Sequence, residues 1–347
     1  MNKKPLFSPH FAKRLNLNQE EMLELINKVL SAYQLGQLVE AEGIEVGYEN
    51  VNIILKTTSG KYLLKILIDF ILKKPRSLVD SRRYIETMES FRANGIPVPR
   101  LYPVLASSLN RDEVMDTYLF KQQVPHNPEP VWMLVMEFFE GLDFIEQPPS
   151  LDDIRTVAKY LAIINSSKLV RQPVYDPWQP HYLMRSYEES VDILKEPAKS
   201  LIDDILHKFK NIDQEKLPTS VIHADFMRNN LLKNTQGKYC LLDFGVVNAG
   251  PRISDLAVFL AGFCMDPNDA LDKNRLAYEA GLAAYDQAIH LSDYEKKHLG
   301  TMVDAAYACF HLPALYEKIV EDNQTEENEY WVQMGEAGLV MTKKMGL

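Results

Sequence analysis

The sequence predicts an α+β protein with a small, β-rich N-terminal lobe and a larger, mostly helical C-terminal lobe. Short strand-like runs bounded by Gly, Asn and Ser occupy much of residues 38–141, whereas helical periodicity dominates after residue 150. Three short apolar strands interrupt the helical part between residues 220 and 242. We therefore expect an N-terminal lobe at 1–140, which includes an N-terminal helical extension, and a C-terminal lobe at 141–347.

The N-terminal lobe begins with an amphipathic helix. Asn18 and Glu21 form a capping pattern, and Gly36 is a stop signal. The apolar residues on one side of this helix are Met22, Leu25, Ile26, Val29 and Tyr33. Three strands are then predicted at residues 38–42, 51–57 and 62–68. The first two are separated by a loop with two glycines, and Ser59-Gly60 forms the turn into the third.

Two features of these strands suit an anionic ligand. The loop at residues 43–50 contains Gly47 and Asn50, and its glycines would let backbone amides approach phosphates; a plain β-turn is the alternative. Lys65 lies among aliphatic residues in the third strand, and a buried cation is costly unless an anion accompanies it. The alternative for Lys65 is a side chain whose ammonium reaches solvent.

The remaining elements follow from periodicity and caps. A helix is predicted at residues 78–93, ended by Asn94-Gly95, and a continuous apolar strand at residues 131–139. Ser150 begins the next helix. The last long helices are expected at residues 253–265, 270–289 and 293–319, and the acidic segment 321–329 is expected to be an exposed loop.

The most informative segment is the loop that begins at His223. It contains His223, Asp225 and Asn230, and Asp243 follows at the end of the third short strand. Phosphoryl transfer requires mainly positioning and neutralisation of charge. Asp225 is the predicted base for an attacking hydroxyl, and Asn230 and Asp243 supply the oxygen ligands that Mg2+ prefers. His223 is predicted to support the loop rather than to carry a proton.

These residues resemble the HxDxxxxN and metal-binding motifs of the aminoglycoside phosphotransferase and choline kinase family. Within it, the Glu49-Asn50 pair and the segment Asp255-Leu256-Ala257 are most similar to type II homoserine kinases. Asn229 departs from them, since they often have Asp there, and residues 1–18 extend beyond their usual start. The resemblance implies a protein-kinase-like bilobal fold and an ATP- and Mg2+-dependent small-molecule kinase. Residues 1–140 would then form the nucleotide-binding lobe and residues 141–347 the catalytic and substrate-binding lobe.

The resemblance also implies the nucleotide site. Lys65 would contact phosphates and pair with an acidic residue of the following helix; we prefer Glu86, with Glu89 and Asp80 as alternatives. Gly47 and Asn50 would belong to the phosphate loop. The predicted adenine contacts are Met136, Glu137, Phe138 and Phe139, although each side chain suits core packing equally well.

The acceptor is predicted as a small-molecule hydroxyl, in homoserine or a related amino alcohol. An aminoglycoside, a choline-like molecule or a sugar is the alternative, and a non-catalytic nucleotide-binding scaffold is a further one. At the position of Ala224, protein kinases usually have an Arg that contacts the phosphorylated activation loop. Its replacement by Ala disfavours a protein substrate. Asp255 is expected to accept amide protons of the catalytic loop. Candidate residues of the acceptor pocket are Trp178, Tyr182 and Arg185.

Composition sets further bounds. The chain has 347 residues, 46% of them hydrophobic, and a net charge of −10, which disfavours a nucleic-acid partner. Residues 1–100 hold 15 Lys/Arg and 11 Asp/Glu, so the acidic excess lies in the remainder and would suit an amine-bearing acceptor; an ordinary solvated surface is the alternative. No secretory or membrane-spanning segment is indicated. Cys240, Cys264 and Cys309 are expected to be buried, reduced thiols of a cytoplasmic protein.

Overall fold

The computed structural model describes residue 15 and residues 17–44, 50–69, 74–105 and 117–347. These residues separate into two compact units. One contains the described residues up to Glu89 together with Val98–Glu140, and the other contains Ser90–Pro97 and Gly141–Leu347. The first is built on a β-sheet and the second is mostly helical, which confirms the predicted α+β class.

The first unit contains two helices and eight strands within the described residues. In chain order they are α1 (Gln19–Tyr33), β1 (Leu38–Ile44), β2 (Val51–Thr57), β3 (Gly60–Ile66), β4 (Ile68–Asp69), β5 (Lys74–Pro75), α2 (Leu78–Ala93), β6 (Leu101–Tyr102), β7 (Phe120–Gln122) and β8 (Val131–Glu137). The main sheet is antiparallel, in the order β1-β2-β3-β8-β6, with β7 also paired to β8. Strands β4 and β5 form a separate ladder.

Helix α1 covers one face of this sheet. Asn18 caps it by accepting the amides of Glu20 and Glu21, and the Glu21 carboxylate accepts the Asn18 amide at 2.8 Å, which completes the predicted capping box. All five predicted apolar residues of α1 are buried. They join a core with alternate residues of β2, β3 and β8, because side chains of one sheet face recur every second residue.

Several predicted boundaries need correction. Helix α1 ends at Tyr33, because Gln34 takes the left-handed conformation (φ 53°) two residues before Gly36. The third strand is not residues 62–68: it begins at Gly60, which pairs with Thr57 across a tight turn, and ends at Ile66. The strand predicted at residues 131–139 ends at Glu137. Helix α2 has the predicted bounds.

The second unit has seven α-helices and five strands. In chain order they are β9 (Leu142–Asp143), α3 (Leu151–Asn165), α4 (Leu183–Ser190), α5 (Ala198–Phe209), β10 (Thr219–Ile222), β11 (Leu231–Lys233), β12 (Tyr239–Leu241), β13 (Asn248–Pro251), α6 (Arg252–Phe259), α7 (Leu271–Ala288), α8 (Asp293–Ile319) and α9 (Glu326–Met345). Helix α8 is central: it contacts α4, α5, α6 and α9, and residues 302–314 are all buried. The strands form two small antiparallel sheets, β10-β13 and β12-β11-β9.

Two predictions for this unit were wrong. The helix expected at residues 253–265 changes character, because α6 ends at Phe259 and a π-helical turn, Leu260–Cys264, follows. The acidic segment 321–329 is not simply a loop, since α9 begins at Glu326. The Thr325 hydroxyl accepts the Asn328 amide as its cap, and Glu326, Glu327 and Glu329 lie in its first turn. Acidic residues favour a helix N-terminus, so this charge run marks a helix start.

Cys240, Cys264 and Cys309 are buried and form no disulfide, as predicted. Among the described residues, no helix combines the length and apolar character needed to cross a bilayer.

A buried ion pair stabilises the second unit. Arg252, the first residue of α6, contacts Glu295 of α8 at 2.7 Å, and Glu295 is fully buried. The guanidinium also donates to the His290 carbonyl. Breaking one side of such a pair leaves the other charge buried without compensation.

We predict that Arg252→Met lowers the free energy of unfolding by about 3–5 kcal/mol, because Glu295 loses its cation inside the protein. Urea denaturation at neutral pH measures this loss. Asp204→Asn is the control: it removes the exposed Lys343–Asp204 pair (3.3 Å) and is expected to cost less than about 1 kcal/mol. Equal losses for the two variants would contradict the prediction.

Candidate active site

Two loops of the second unit meet at the end of the β11-β12 hairpin. The first, residues 223–230, joins β10 to β11, and the second, residues 242–247, joins β12 to β13. Leu231 pairs with Leu241, and the Leu242 amide donates to the Asn230 carbonyl at 2.8 Å. This register places Asn230 and Asp243 at the same end of the hairpin, directly before one strand and shortly after the other.

Asp225 and Asn230 are in direct contact. The Asn230 side-chain amide donates to the Asp225 carboxylate at 2.6 Å and to the Asp225 carbonyl at 3.1 Å. The two bonds orient the carboxylate and fix the amide. Both bonds use the Nδ2 group of Asn230 and leave its Oδ1 atom as a potential oxygen ligand.

Asp243 supplies a second oxygen donor. Its backbone is left-handed (φ 52°), and its Oδ1 accepts the Gly245 amide at 3.3 Å. Carboxylate and amide oxygens suit a hard divalent cation. Within the described residues no three His, Cys, Asp or Glu side chains cluster to hold a metal by themselves. A cation held by Asn230 and Asp243 would therefore take its remaining ligands from water and phosphate, as Mg2+ commonly does.

His223 lies inside the protein between aromatic rings. It is fully buried, with the Phe226 ring centroid 5.4 Å and the Phe244 ring centroid 5.7 Å away. Burial lowers the pKa of His223 to about 4, although the Asp243 carboxylate acts in the opposite direction. The imidazole is therefore neutral near pH 7. These surroundings suit a packing residue of the loop better than a proton carrier.

Asp255 anchors the start of the predicted catalytic loop, which is the loop at residues 223–230, as expected from the sequence. Its two oxygens accept the amides of His223 (2.9 Å) and Ala224 (2.8 Å), and Ala224 has a left-handed backbone (φ 69°). Asn165 donates a third bond to Asp255 at 2.8 Å and is itself held by Tyr285. Burial raises the pKa of Asp255 to about 6, and these three donors oppose the rise.

A second anchor holds the strands of the hairpin. Asp153 of α3 accepts the Lys233 ammonium at 2.6 Å and the Tyr239 hydroxyl at 2.5 Å. Burial alone would raise the pKa of Asp153, but bonds from Lys233, Tyr239 and Ser150 prevail and lower it to about 2. The carboxylate is ionised at any physiological pH and stays bonded to both strands.

The predicted nucleotide residues lie in the first unit. Lys65 is buried in β3, opposite Leu134 of β8, and its ammonium lies 5.1 Å from the Tyr84 ring centroid. Of the acidic candidates on α2, Glu86 is exposed and the Oε1 atom of Glu89 is buried. Asp80 is occupied near the helix start, where it contacts Ser77 and Arg83.

The other nucleotide residues are distributed along the same sheet. Gly47 lies outside the described residues. Asn50 is buried, and its Oδ1 accepts the Ile68 amide at 3.1 Å, a tie between the loop end and the chain after β3. At the end of β8, Met136 is buried, and Glu137, Phe138 and Phe139 are more accessible. The Lys61 ammonium lies over the Phe138 ring, 3.8 Å from the ring centroid.

The predicted acceptor candidates lie just before α4 and in its first turn, together with one acidic residue that the sequence did not single out. The Arg185 guanidinium lies 3.5 Å from the Tyr175 ring centroid and pairs with Glu189, and Trp178 packs edge-on against Trp331. The missed residue is Asp176. Its carboxylate accepts the Trp178 amide and the Gln179 side chain, and burial raises its pKa.

Comparison with known proteins agrees with this geometry. The model of the family described as "Phosphotransferase enzyme family" matches residues 40–291, well over half of the chain. A homoserine kinase from Methylobacterium nodulans is 25% identical over 301 residues, which cover 85% of each chain. A homoserine kinase from Caulobacter sp. is 24% identical and covers 82% of this chain and 83% of its own length.

Solved structures share the fold at low identity. An amicoumacin kinase in complex with AMP-PNP, Ca2+ and Ami aligns with a TM-score of 0.67 at 14% identity and covers 96% of both chains. A microcompartment-associated aminopropanol kinase aligns with a TM-score of 0.65 at 14% identity, over 92% of this chain and 97% of its own. The predicted kinase-like fold and the assignment as a small-molecule kinase are thereby confirmed, and the chain belongs to the phosphotransferase enzyme family.

Proposed function

We propose that this protein transfers the γ-phosphoryl group of ATP, with Mg2+, to the hydroxyl of a small amine-bearing molecule, first of all homoserine or a related amino alcohol. The observation that carries the proposal is the contact of Asn230 with Asp225 at 2.6 Å, next to Asp243 at the end of one hairpin. A proton acceptor and two oxygen ligands meet there, which is what phosphoryl transfer needs.

The chain's own residues have distinct roles in this mechanism. Asp225 accepts the proton of the acceptor hydroxyl while that oxygen attacks the γ-phosphorus and the bond to the bridging oxygen of ADP breaks. Asn230 holds the Asp225 carboxylate in place through its amide and, with Asp243, would hold Mg2+ through oxygen. When bound, Mg2+ neutralises charge on the phosphates.

Residues of the first unit are proposed to bind the nucleotide. Lys65, buried at 4% exposure, would contact the phosphates, with Glu86 or Glu89 as its acidic partner. Gly47 and Asn50 would lie at the phosphate loop. The chain from Met136 to Phe139 would contact adenine, through its backbone and the exposed faces of Phe138 and Phe139.

The acceptor assignment rests on similarity over most of the chain and on charge. The homoserine kinases match over about four-fifths of their length. Asp176 adds a partly exposed carboxylate that forms no ion pair among the described residues and lies close to Tyr182, surroundings that favour an ammonium group. The second candidate, an aminoglycoside, choline-like or sugar acceptor, is favoured by the acidic excess of residues 101–347. With its three free cysteines, the protein is proposed to act in the reducing cytoplasm.

An acceptor screen tests the proposal. Purified protein with Mg2+ and ATP is offered homoserine, aminopropanol, choline, an aminoglycoside and a hexosamine, and acceptor-dependent ADP release is measured. Homoserine or a related amino alcohol is expected to give the highest kcat/KM. Preferred turnover of one of the other acceptors would select the second candidate, and no turnover of any acceptor would remove the proposal.

Replacement of the proposed base should abolish turnover without preventing nucleotide binding. We expect Asp225→Ala to lower kcat by about 10²–10⁴-fold, because the hydroxyl loses its proton acceptor. Calorimetric titration with Mg2+ and a non-hydrolysable ATP analogue should give an affinity within about threefold of wild type. An unchanged rate would refute the role of Asp225. Asp152→Asn is the control, since this carboxylate is 92% exposed and pairs only with Arg155 in the adjacent turn.

Replacement of the proposed metal ligand should act on binding instead. We expect Asp243→Asn to weaken Mg2+-dependent binding of the ATP analogue at least about tenfold, because an amide replaces a charged oxygen ligand. Titrations with and without Mg2+ separate this effect from direct contacts, since affinity without the ion should change little. Wild-type affinity in the presence of Mg2+ would exclude Asp243 as a ligand.

A further inference from the structure

Arg228 lies inside the catalytic loop, between Asp225 and Asn230, but points away from both into the second unit. It is only 9% exposed. Its Nε donates to the Phe263 carbonyl at 3.0 Å, and its Nη2 lies 3.5 Å from the Cys264 carbonyl. Its Nη1 contacts the Asp266 carboxylate at 2.6 Å. One guanidinium therefore joins the loop to three acceptors at the end of the π-helical turn.

The π-helical turn is fitted closely to the loop. A Cβ atom added at Gly262 would lie 2.7 Å from Met227 Cγ and 2.9 Å from Met227 Sδ, so any larger residue here would force the Met227 side chain to shift. The turn is held from behind as well, because Tyr307 donates its hydroxyl to the Ala261 carbonyl at 2.9 Å. Asp266 is fixed by its own neighbours, since its amide donates to Asn274 and its carboxylate accepts the Asn268 amide.

The same continuous helical segment holds both ends of the catalytic loop. Asp255, near the start of α6, accepts the amides of His223 and Ala224, and the π-helical turn after α6 holds Arg228. On the opposite side, the Arg228 carbonyl accepts the Phe144 amide at 3.1 Å. Irregular π turns inside helices often occur at functional sites, since they redirect carbonyls that a regular helix would use internally.

We propose that Arg228 is a positioning residue, which, through the Leu260–Cys264 turn and Asp266, sets the place of Asp225 and Asn230 relative to the reacting groups. This proposal rests on the proposed kinase function. A displacement of about 1 Å at a reacting centre costs on the order of 10²-fold in rate. Loss of the guanidinium therefore affects kcat more than nucleotide affinity.

The test compares two arginines with the same chemistry. Arg228→Lys keeps the charge but cannot reach three acceptors at once. Arg275→Lys is the control for the loss of a guanidinium, because exposed Arg275 also donates to a carbonyl at a helix end, that of Met345 at 2.7 Å, and makes no hydrogen bond to residues 223–230. We expect Arg228→Lys to lower kcat about 30–100-fold with KM for ATP within threefold, and Arg275→Lys to change both by less than threefold.

Two further variants guard against simple unfolding. Asp266→Asn keeps the shape of the acceptor and removes its charge, so it should lower kcat less than Arg228→Lys. Gly262→Ala pushes Met227 without touching any charge and should lower kcat with little change in KM. If Arg228→Lys does not fold, these two variants decide: wild-type kcat in both would overturn the proposal, as would equal kcat losses in Arg228→Lys and Arg275→Lys.

An independent readout separates this proposal from the kinase assignment. Hydrogen exchange of peptides that cover residues 225–230 should be at least about tenfold faster in Arg228→Lys than in wild type and unchanged in Arg275→Lys. This comparison needs no substrate. If the wild-type protein turns over no acceptor, the proposed function fails, and hydrogen exchange alone decides whether Arg228 holds the loop. Hydrogen exchange that is unchanged in Arg228→Lys would overturn the role of Arg228.

Discussion

The buried carboxylate of Asp255 holds the catalytic loop at Ala224, where the loop has a strained backbone conformation. Ala224 adopts φ 69°, a conformation that costs a non-glycine residue about 1–2 kcal/mol. This conformation directs two consecutive amides into the protein, and amides buried without acceptors would cost more than the strain itself. The carboxylate satisfies both, and the residue after Ala224 is Asp225. The position of the proposed base thus depends on an interior acceptor that lies 31 residues after Ala224 in the chain.

That acceptor needs its own support, which links three helices to one loop. Asn165, the last residue of α3, donates to both the Asp255 carboxylate and the Val221 carbonyl of β10. Its Oδ1 accepts the Tyr285 hydroxyl from α7. The polar groups of this network of Asn165, Asp255 and Tyr285 are buried and hydrogen-bonded to one another. An interior network stabilises one arrangement under this condition. The start of the loop is therefore held by residues that are themselves buried inside the protein.

The parts that the sequence predicted well are those whose determinants are local. Asn18 with Glu21, and Ser150 with Asp153, are capping boxes within four residues, so the starts of α1 and α3 could be read directly. The short sequence separation of Asn230 and Asp243 also allowed us to expect that the two residues lie close in space, because a hairpin returns the chain to the end at which it began. The start of α9 was missed although Thr325 is an ordinary cap, since the acidic residues around it suggested a solvated loop.

Apart from Asp255, whose bonds to loop amides were expected, the anchors of the loop could not be predicted, because their partners are remote in sequence. Arg228 reaches Phe263 across 35 positions, and Asn165 reaches Asp255 across 90. Neither pair has a fixed spacing or a recurrent pattern. The π-helical turn is equally hidden, since the apolar sequence of residues 253–265 suits a regular helix. Only tertiary contacts, such as the fit of Gly262 against Met227, distinguish the two forms.

The acidic side chains around this loop are all aspartates, and they differ in burial and in hydrogen-bond partners. Asp255 is fully buried and accepts three hydrogen bonds from fixed donors, so it has no access to a substrate proton. Asp266 is committed to Arg228 and the turn around it. Asp225 and Asp243 differ from both, because each remains partly exposed and each is oriented by a neighbouring amide. A carboxylate can accept a proton or bind a cation only if lone pairs remain accessible, so the proposed proton transfer and metal binding are assigned to Asp225 and Asp243. Asp255 and Asp266 instead hold the loop that contains Asp225.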